Sequence, residues 1–223
     1  MPRRVRPAIP VPAGKTAWTP PRYAEMPTRL PDSISPETAD RLEQFVALVQ
    51  KWTQSINLVS RGDRELLWPR HVLDSLRLLP LIPQGTARGL DLGSGAGFPG
   101  LVLALASGIP FDLVEADHRK AAFLVEAQRV TRAPVKIHCT RIEQLSLPRA
   151  PLITARALAP LTRLLEHAER FLAPGGICLF AKGAHADIEV SEALQHWRMQ
   201  INQTSDPSFP EATILAVTDL SRA

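Results

Sequence analysis

The chain has 223 residues, 45% of them hydrophobic, with 26 Lys and Arg against 22 Asp and Glu and only two cysteines. That is enough apolar sequence for one domain with a real core and too few cysteines for a disulfide framework, and no stretch approaches the ~18 uninterrupted apolar residues of a membrane span. The formal charge of +4 is concentrated: residues 1–31 hold six bases, one acid and eight of the 21 prolines, while the remainder holds 20 bases and 21 acids.

Residues 1–31 therefore read as a disordered Pro/Arg-rich arm, since they cannot bury enough apolar surface to offset their ordering entropy. They also lack the apolar run of a secretory leader, so the expectation is a cytoplasmic protein with no membrane anchor. Residues 32–223 are expected to form a single domain, 32–84 a helical cap and 85–223 a Rossmann-like core. Ser35-Pro36-Glu37 is a helix start, with Ser as N-cap and Pro at the first helical position. Leu42, Phe45, Val46, Val49 and Trp52 follow at helical spacing. A turn over 54–57 leads to a second helical stretch, expected to break near Pro69, with Val72, Leu73, Leu76 and Leu79 inward.

From Arg88 short apolar runs alternate with helices. Strands are predicted at 88–92, 111–115, 135–138, 151–155 and 176–181, with helices at 98–107, 118–131 and 161–172. That alternation predicts an α/β fold with a mostly parallel sheet and helices on both faces. A helix over 187–198 and two strands near 199–204 and 212–218 complete a seven-stranded sheet.

Gly93, Gly95, Gly97 and Gly100, four of the 12 glycines, fall in eight residues between a predicted strand and a predicted helix. Such a loop lets a ligand approach the backbone, and Gly95-x-Gly97-x-x-Gly100 also matches the dinucleotide fingerprint. Asp91, at the end of the first strand, would repel a pyrophosphate but suits a ligand carrying an ammonium and a sulfonium. Glu115 ends the second strand, where ribose hydroxyls would meet it. With the turn Leu172-Ala173-Pro174-Gly175-Gly176, these features favour S-adenosylmethionine and a class I methyltransferase. A nicotinamide dehydrogenase and a non-catalytic Rossmann-like RNA-binding module are the alternatives.

Lys51-Trp52-Thr53-Gln54-Ser55-Ile56-Asn57-Leu58, Arg70-His71-Val72-Leu73-Asp74-Ser75-Leu76 and the glycine loop resemble the RsmG family, also called GidB. Further matches are Val114-Glu115, the run from Arg119 to Leu124, Arg141-Ile142-Glu143, Thr154-Ala155-Arg156-Ala157 and Ala181-Lys182-Gly183. The resemblance implies S-adenosylmethionine-dependent methylation of guanosine N7 in 16S, small-subunit, ribosomal RNA. It implies cofactor contacts at Gly93, Phe98, Ile142, Glu143 and Arg156, alongside Gly95, Gly97 and Glu115 of the motif reading. Arg156 should face the acceptor, with Asn57, Arg70 and His71 lining the RNA entrance. Ion pairing of Arg156 with Glu143, and of His71 with Asp74, are the structural alternatives. The same fold acting on tRNA or protein is the other functional one. The naked RNA, the 30S particle and its precursor all remain open as substrate, and nothing requires more than a monomer.

Guanine N7 carries a lone pair and no proton, so its methylation needs no acid or base, only alignment and exclusion of water. The place after the fourth strand where amine methylases carry an Asn/Asp-Pro-Pro-aromatic motif here reads Ala155-Arg156-Ala157-Leu158. Cys139 and Cys178 are expected to be packing residues, and the six histidines show no metal-ligand spacing. The window 119–141, with six bases and one acid, is the candidate RNA patch. The arm should add sequence-independent attraction. Deleting residues 1–30 should weaken RNA binding most at low salt and leave cofactor affinity unchanged; unchanged filter-binding curves at low salt would show the arm to be only a tail.

Overall fold

The computed structural model describes residues 29–209 and 212–223, so the arm expected over 1–31 lies almost wholly outside the described residues. The chain begins its regular structure with α1 (Pro36–Trp52), whose N-cap Ser35 accepts a hydrogen bond from the Thr38 amide at 3.1 Å. Arg70 and His71 lie in a π-helical turn, Trp68–Leu73, that runs directly into α2 (Asp74–Leu76). Pro69 does not break this segment: it sits in the first turn, where a missing amide costs nothing, and the helix opens around it.

The core follows as β1 (Gly89–Leu92), α3 (Gly100–Ser107), β2 (Phe111–Glu115), α4 (His118–Thr131), β3 (Val135–Cys139), β4 (Ala150–Arg156), α5 (Leu161–Phe171), β5 (Leu172–Lys182), α6 (Ala186–Ala193), β6 (Trp197–Ser205) and β7 (Thr213–Arg222). The seven strands form one sheet in the order β3-β2-β1-β4-β5-β7-β6. β1 to β5 are parallel, and β7 inserts antiparallel between β5 and β6. The run 172–176, expected as a turn, is taken into β5 with Gly175 at φ +70°, and regular pairing with β4 resumes at Ile177.

β1 and β2 are buried along their whole length, as expected of strands covered on both faces. One face packs against α1, α2, α3 and α4, the other against α5 and α6. The chain winds outward in opposite directions from β1 and β4, so a crevice opens between their carboxyl ends. α1 lies across α3 and α4, and its buried stripe is Ala39, Leu42, Phe45 and Val49. Phe45 meets the Phe98 ring at 5.1 Å and the Phe123 ring at 6.3 Å, while Trp52 meets Phe123 edge-on at 5.7 Å. These aromatic contacts fix the N-terminal helix over the glycine loop. Phe45→Ala should therefore cost about 3–5 kcal/mol, measured as a lowered urea midpoint in far-UV circular dichroism.

Candidate functional site

Two cavities open at the carboxyl edge of the sheet. The first, about 780 Å3, is lined by the glycine loop, the ends of β2 and β3, Leu58, Val59 and Ser60. The second, about 540 Å3, is lined by Asp63, Arg70, Asp74, Lys182 and Glu189. His71, Arg156 and residues 157–159 belong to both, so the cavities share a wall.

The glycine loop owes its shape to backbone constraints and one carboxylate. Gly93 has φ +67°, and a Cβ there would sit 2.4 Å from a Leu158 methyl, so only glycine fits. Glu115 braces the loop: Oε2 accepts from the Gly95 amide and Oε1 from the Asp117 amide, both at 2.8 Å. Each oxygen keeps a further lone pair toward the first cavity, which Glu115 lines. Asp117, which spacing did not single out, caps α4 through Oδ1 to the Arg119 and Lys120 amides. Those bonds hold its carboxyl below the usual range. An acid just after a strand and just before a helix was the available signal.

Other expectations are corrected. Gly97 does not line either cavity; a Cβ there would press on Phe45, Leu101 and Leu124, so this glycine serves the packing of α1. Asp91 does not face a ligand. It is fully buried beneath the loop, its Oδ1 accepting from the Thr154 hydroxyl at 2.6 Å, and the Gly100 backbone lies so close that a Cβ would fall 2.6 Å from the Asp91 side chain. Burial pushes its carboxyl up to about 6, against the hydrogen bonds and the Arg156 charge that favour ionisation. Asn57 is exposed on the turn after α1 and lines neither cavity.

The shared wall is organised by Arg156. Its guanidinium donates to the Arg70 carbonyl at 3.1 Å and to His71 Nδ1, and lies 3.6 Å from Asp74 Oδ2. Asp74 also pairs with Arg77 at 2.9 Å, and Asp63 pairs with Arg70. The alternative of an Arg156–Glu143 pair is not found among the described residues; Glu143 pairs with Arg163 at 3.2 Å on the far rim of the first cavity. His71 and Asp74 are joined through Arg156 and not directly, because successive turns of the segment aim both at the end of β4. Burial first, then the charges of Arg156 and Arg70, lower the His71 imidazole to about 2, so it is neutral. With Nδ1 accepting from Arg156, its proton sits on Nε2. Phe98 lines the first cavity but is mostly consumed in packing, stacked on His71 at 5.0 Å. Ile142 is buried at the edge of the same cavity and Glu143 is exposed beside it.

Cys178 is buried in β5, as expected of a packing residue, and burial raises its thiol. Cys139 is not packed: it is exposed, with Sγ 3.1 Å from His118 Nδ1. Among the described residues no cluster of His, Cys, Asp and Glu could hold a metal, and no helix is long and apolar enough to cross a membrane. Residues 157–159, Arg163, His167, Lys182 and Glu189 line the cavities without having been singled out from spacing. They come from three separate segments that only the tertiary fold assembles.

The strand order, the glycine loop and the paired cavities define a class I methyltransferase. Among solved structures, the chain is similar to an O-methyltransferase from Bacillus cereus in complex with SAH, with TM-score 0.55 and 16% identity over 81% of this chain and 91% of that one. It is likewise similar to a ribosomal protein L11 methylase from Lactobacillus delbrueckii, with TM-score 0.55 and 13% identity over 65% and 76% of the two chains. At these identities the likeness concerns the fold. Residues 38–214 match the family model described as GidB, rRNA small subunit methyltransferase G. The chain is 48% identical to ribosomal RNA small subunit methyltransferase G of Granulibacter bethesdensis, over 85% of this chain and 89% of that protein. Against the protein of that name from Gluconobacter oxydans the identity is 49%, over 85% and 98%. The chain belongs to the rRNA small subunit methyltransferase G family.

Asp91 gives the loop a pH signature. A buried carboxyl whose folded value lies above its unfolded one stabilises the protein below the unfolded value, and loses that contribution as pH rises through the folded one. Wild-type stability should therefore fall between about pH 4 and 6 relative to Asp91→Asn, whose amide oxygen can still accept from Thr154. At pH 7 the difference should approach about 3 kcal/mol. Denaturant titrations of both proteins across this range check it, and parallel curves would refute it.

Proposed function

We propose that the chain transfers a methyl group from S-adenosylmethionine to N7 of a guanosine in 16S ribosomal RNA, with cofactor in the first cavity and the acceptor base in the second. When bound, the cofactor supplies a methyl group on a sulfonium. The lining of the first cavity suits it. Gly93 leaves bare backbone where a Cβ would clash, Glu115 and Asp117 offer carboxylates to ribose hydroxyls, and Ile142 offers an apolar surface at the adenine end. Residues 32–84 act as a cap over a core of 85–223, with Arg70 and His71 on the acceptor side beside Arg156.

The observation that carries this reading is the state of the shared wall. His71 is the imidazole there, and it is held so far below its ordinary value, with Nδ1 against a guanidinium, that it cannot take a proton. A shared wall whose imidazole is neutral and already engaged offers no histidine base, which suits a nucleophile that has no proton to lose. Guanine N7 is such a nucleophile: it carries an in-plane lone pair and no proton, so its methylation would ask no proton transfer of the chain. The chain's own contribution is then to hold the base in line and keep water out.

From the 119–141 window, Lys120 and Arg141 line the first cavity and exposed Arg119 stands beside them, while Arg129, Arg132 and Lys136 lie toward the far end of α4 and the start of β3. The positive charge at the cavity mouth therefore comes from Arg119, Lys120 and Arg141. The rRNA would meet this face, as a 30S particle or its precursor in the cytoplasm, and a monomer suffices. In a strain lacking the gene, borohydride and aniline cleavage of the rRNA should reveal the loss of one N7-methylguanosine. Wild-type protein should restore that signal and Gly93→Val should not. An unchanged cleavage pattern in the deletion strain would overturn the reading.

A further inference from the structure

Buried Lys182 and half-buried Glu189 form a pair whose bonding leaves one donor and one acceptor open side by side in the second cavity. Lys182 ends β5, next in the sheet to the end of β4, and its side chain is only 7% exposed. Its ammonium donates to the Ala159 carbonyl at 2.9 Å and pairs with Glu189 Oε2 at 2.7 Å. An ammonium has three protons, so one remains. Glu189, from α6, is fixed by the same oxygen, which also accepts from the Leu161 amide at 2.6 Å. Its other oxygen, Oε1, takes no hydrogen bond among the described residues, and the residue lines the second cavity.

We propose that this pair reads the Watson–Crick edge of the acceptor guanine, Lys182 donating to O6 and Glu189 Oε1 accepting from N1–H and the 2-amino group. The proposal rests on the methyltransferase reading above and adds the base-selecting residues. Guanine presents an acceptor and then two donors along that edge, complementary to an ammonium beside a carboxylate. Adenine presents the opposite order, an amine where O6 stands and a bare nitrogen at N1, so it would set donor against donor and acceptor against acceptor. Arg156 is less suited to this role, because its guanidinium is already held by Arg70, His71 and Asp74. A cation on O6 from the N1 side also leaves the N7 lone pair free, which a bidentate arginine across O6 and N7 would block.

The orientation follows from Ala159. That residue lines both cavities, and its carbonyl receives the Lys182 ammonium. With O6 on Lys182 and the amino edge toward Glu189, N7 lies on the side of O6 away from Glu189, toward the wall the cavities share.

The test deletes atoms from the base as well as from the protein. Ligated rRNA carrying inosine, which lacks only the 2-amino group, is assembled into 30S subunits and compared with the guanosine form. Wild-type kcat/KM should fall about 10-fold or more on inosine, as expected when a half-buried carboxylate that the base would cover loses its donor. Glu189→Gln can still accept the Leu161 amide but turns a donor toward the base, so its guanosine-to-inosine ratio should collapse to about one. A role confined to bracing α5 and α6 would lower both rates and leave the ratio at the wild-type value, which would overturn the proposal. Calorimetric S-adenosylmethionine binding reports whether the variant is folded. Should the variant not fold, the wild-type ratio alone decides, and equal rates on the two RNAs refute the pair as reader. Absence of methylation on guanosine RNA would instead sink the functional reading itself.

Discussion

One guanidinium ties the end of β4 to the helical segment that precedes the sheet, beside the apolar packing of α1 and α2 on α3 and α4. Arg156 leaves the end of β4 and enters the helical segment before it in sequence, where it meets the Arg70 carbonyl, the His71 ring and the Asp74 carboxylate. Its burial alone would disfavour the charge, and Asp74 and Asp63 oppose that penalty. Taking Asp74 away would leave the Arg156 charge with less compensation for its burial, and breaking such a pair usually costs more than the pair is worth. The tautomer of His71 and the wall between the two cavities both depend on this contact.

The glycine loop shows the same economy on a smaller scale. Glu115 spends both carboxylate oxygens on backbone amides of the loop and of the turn before α4, yet stays at the cavity surface. Shaping the loop and meeting a ribose are compatible because each oxygen has two lone pairs. The loop glycines divide the work: Gly93 leaves room at the cavity, Gly97 makes room for α1, and Gly100 lets the backbone close over Asp91.

Local signals carried most of the architecture. β2 and α4 stand where alternation and periodicity put them, since an apolar run over 111–115 and a capped amphipathic run over 118–131 need no distant partner to be recognised. The bend expected at Pro69 failed because proline is harmless in a first turn, and spacing alone does not say which turn is first. Partnerships were harder to read than elements. Arg156 finds Asp74 across 82 positions, and the Glu143 proposed for it belongs to Arg163 instead. Asp91 carries the right charge for a ligand, but a strand's last carboxylate can be roofed by the loop that follows it. Lys182 stood in one of the family-matching blocks and Glu189 in an ordinary acidic helix, but nothing local joined them; only the closing of the sheet sets them 2.7 Å apart.

The placement of β7 sets a timetable for the whole assembly. β6 hydrogen-bonds only to β7, and β7 fills the place beside β5, yet it is the later of the two to leave the ribosome. Until residues 213–222 emerge, β6 has no neighbour and the outer edge of β5, the strand that ends in Lys182, stands bare. The edge of the sheet at the first cavity can therefore form during synthesis, while the β5 side of the second must wait for the chain's last strand.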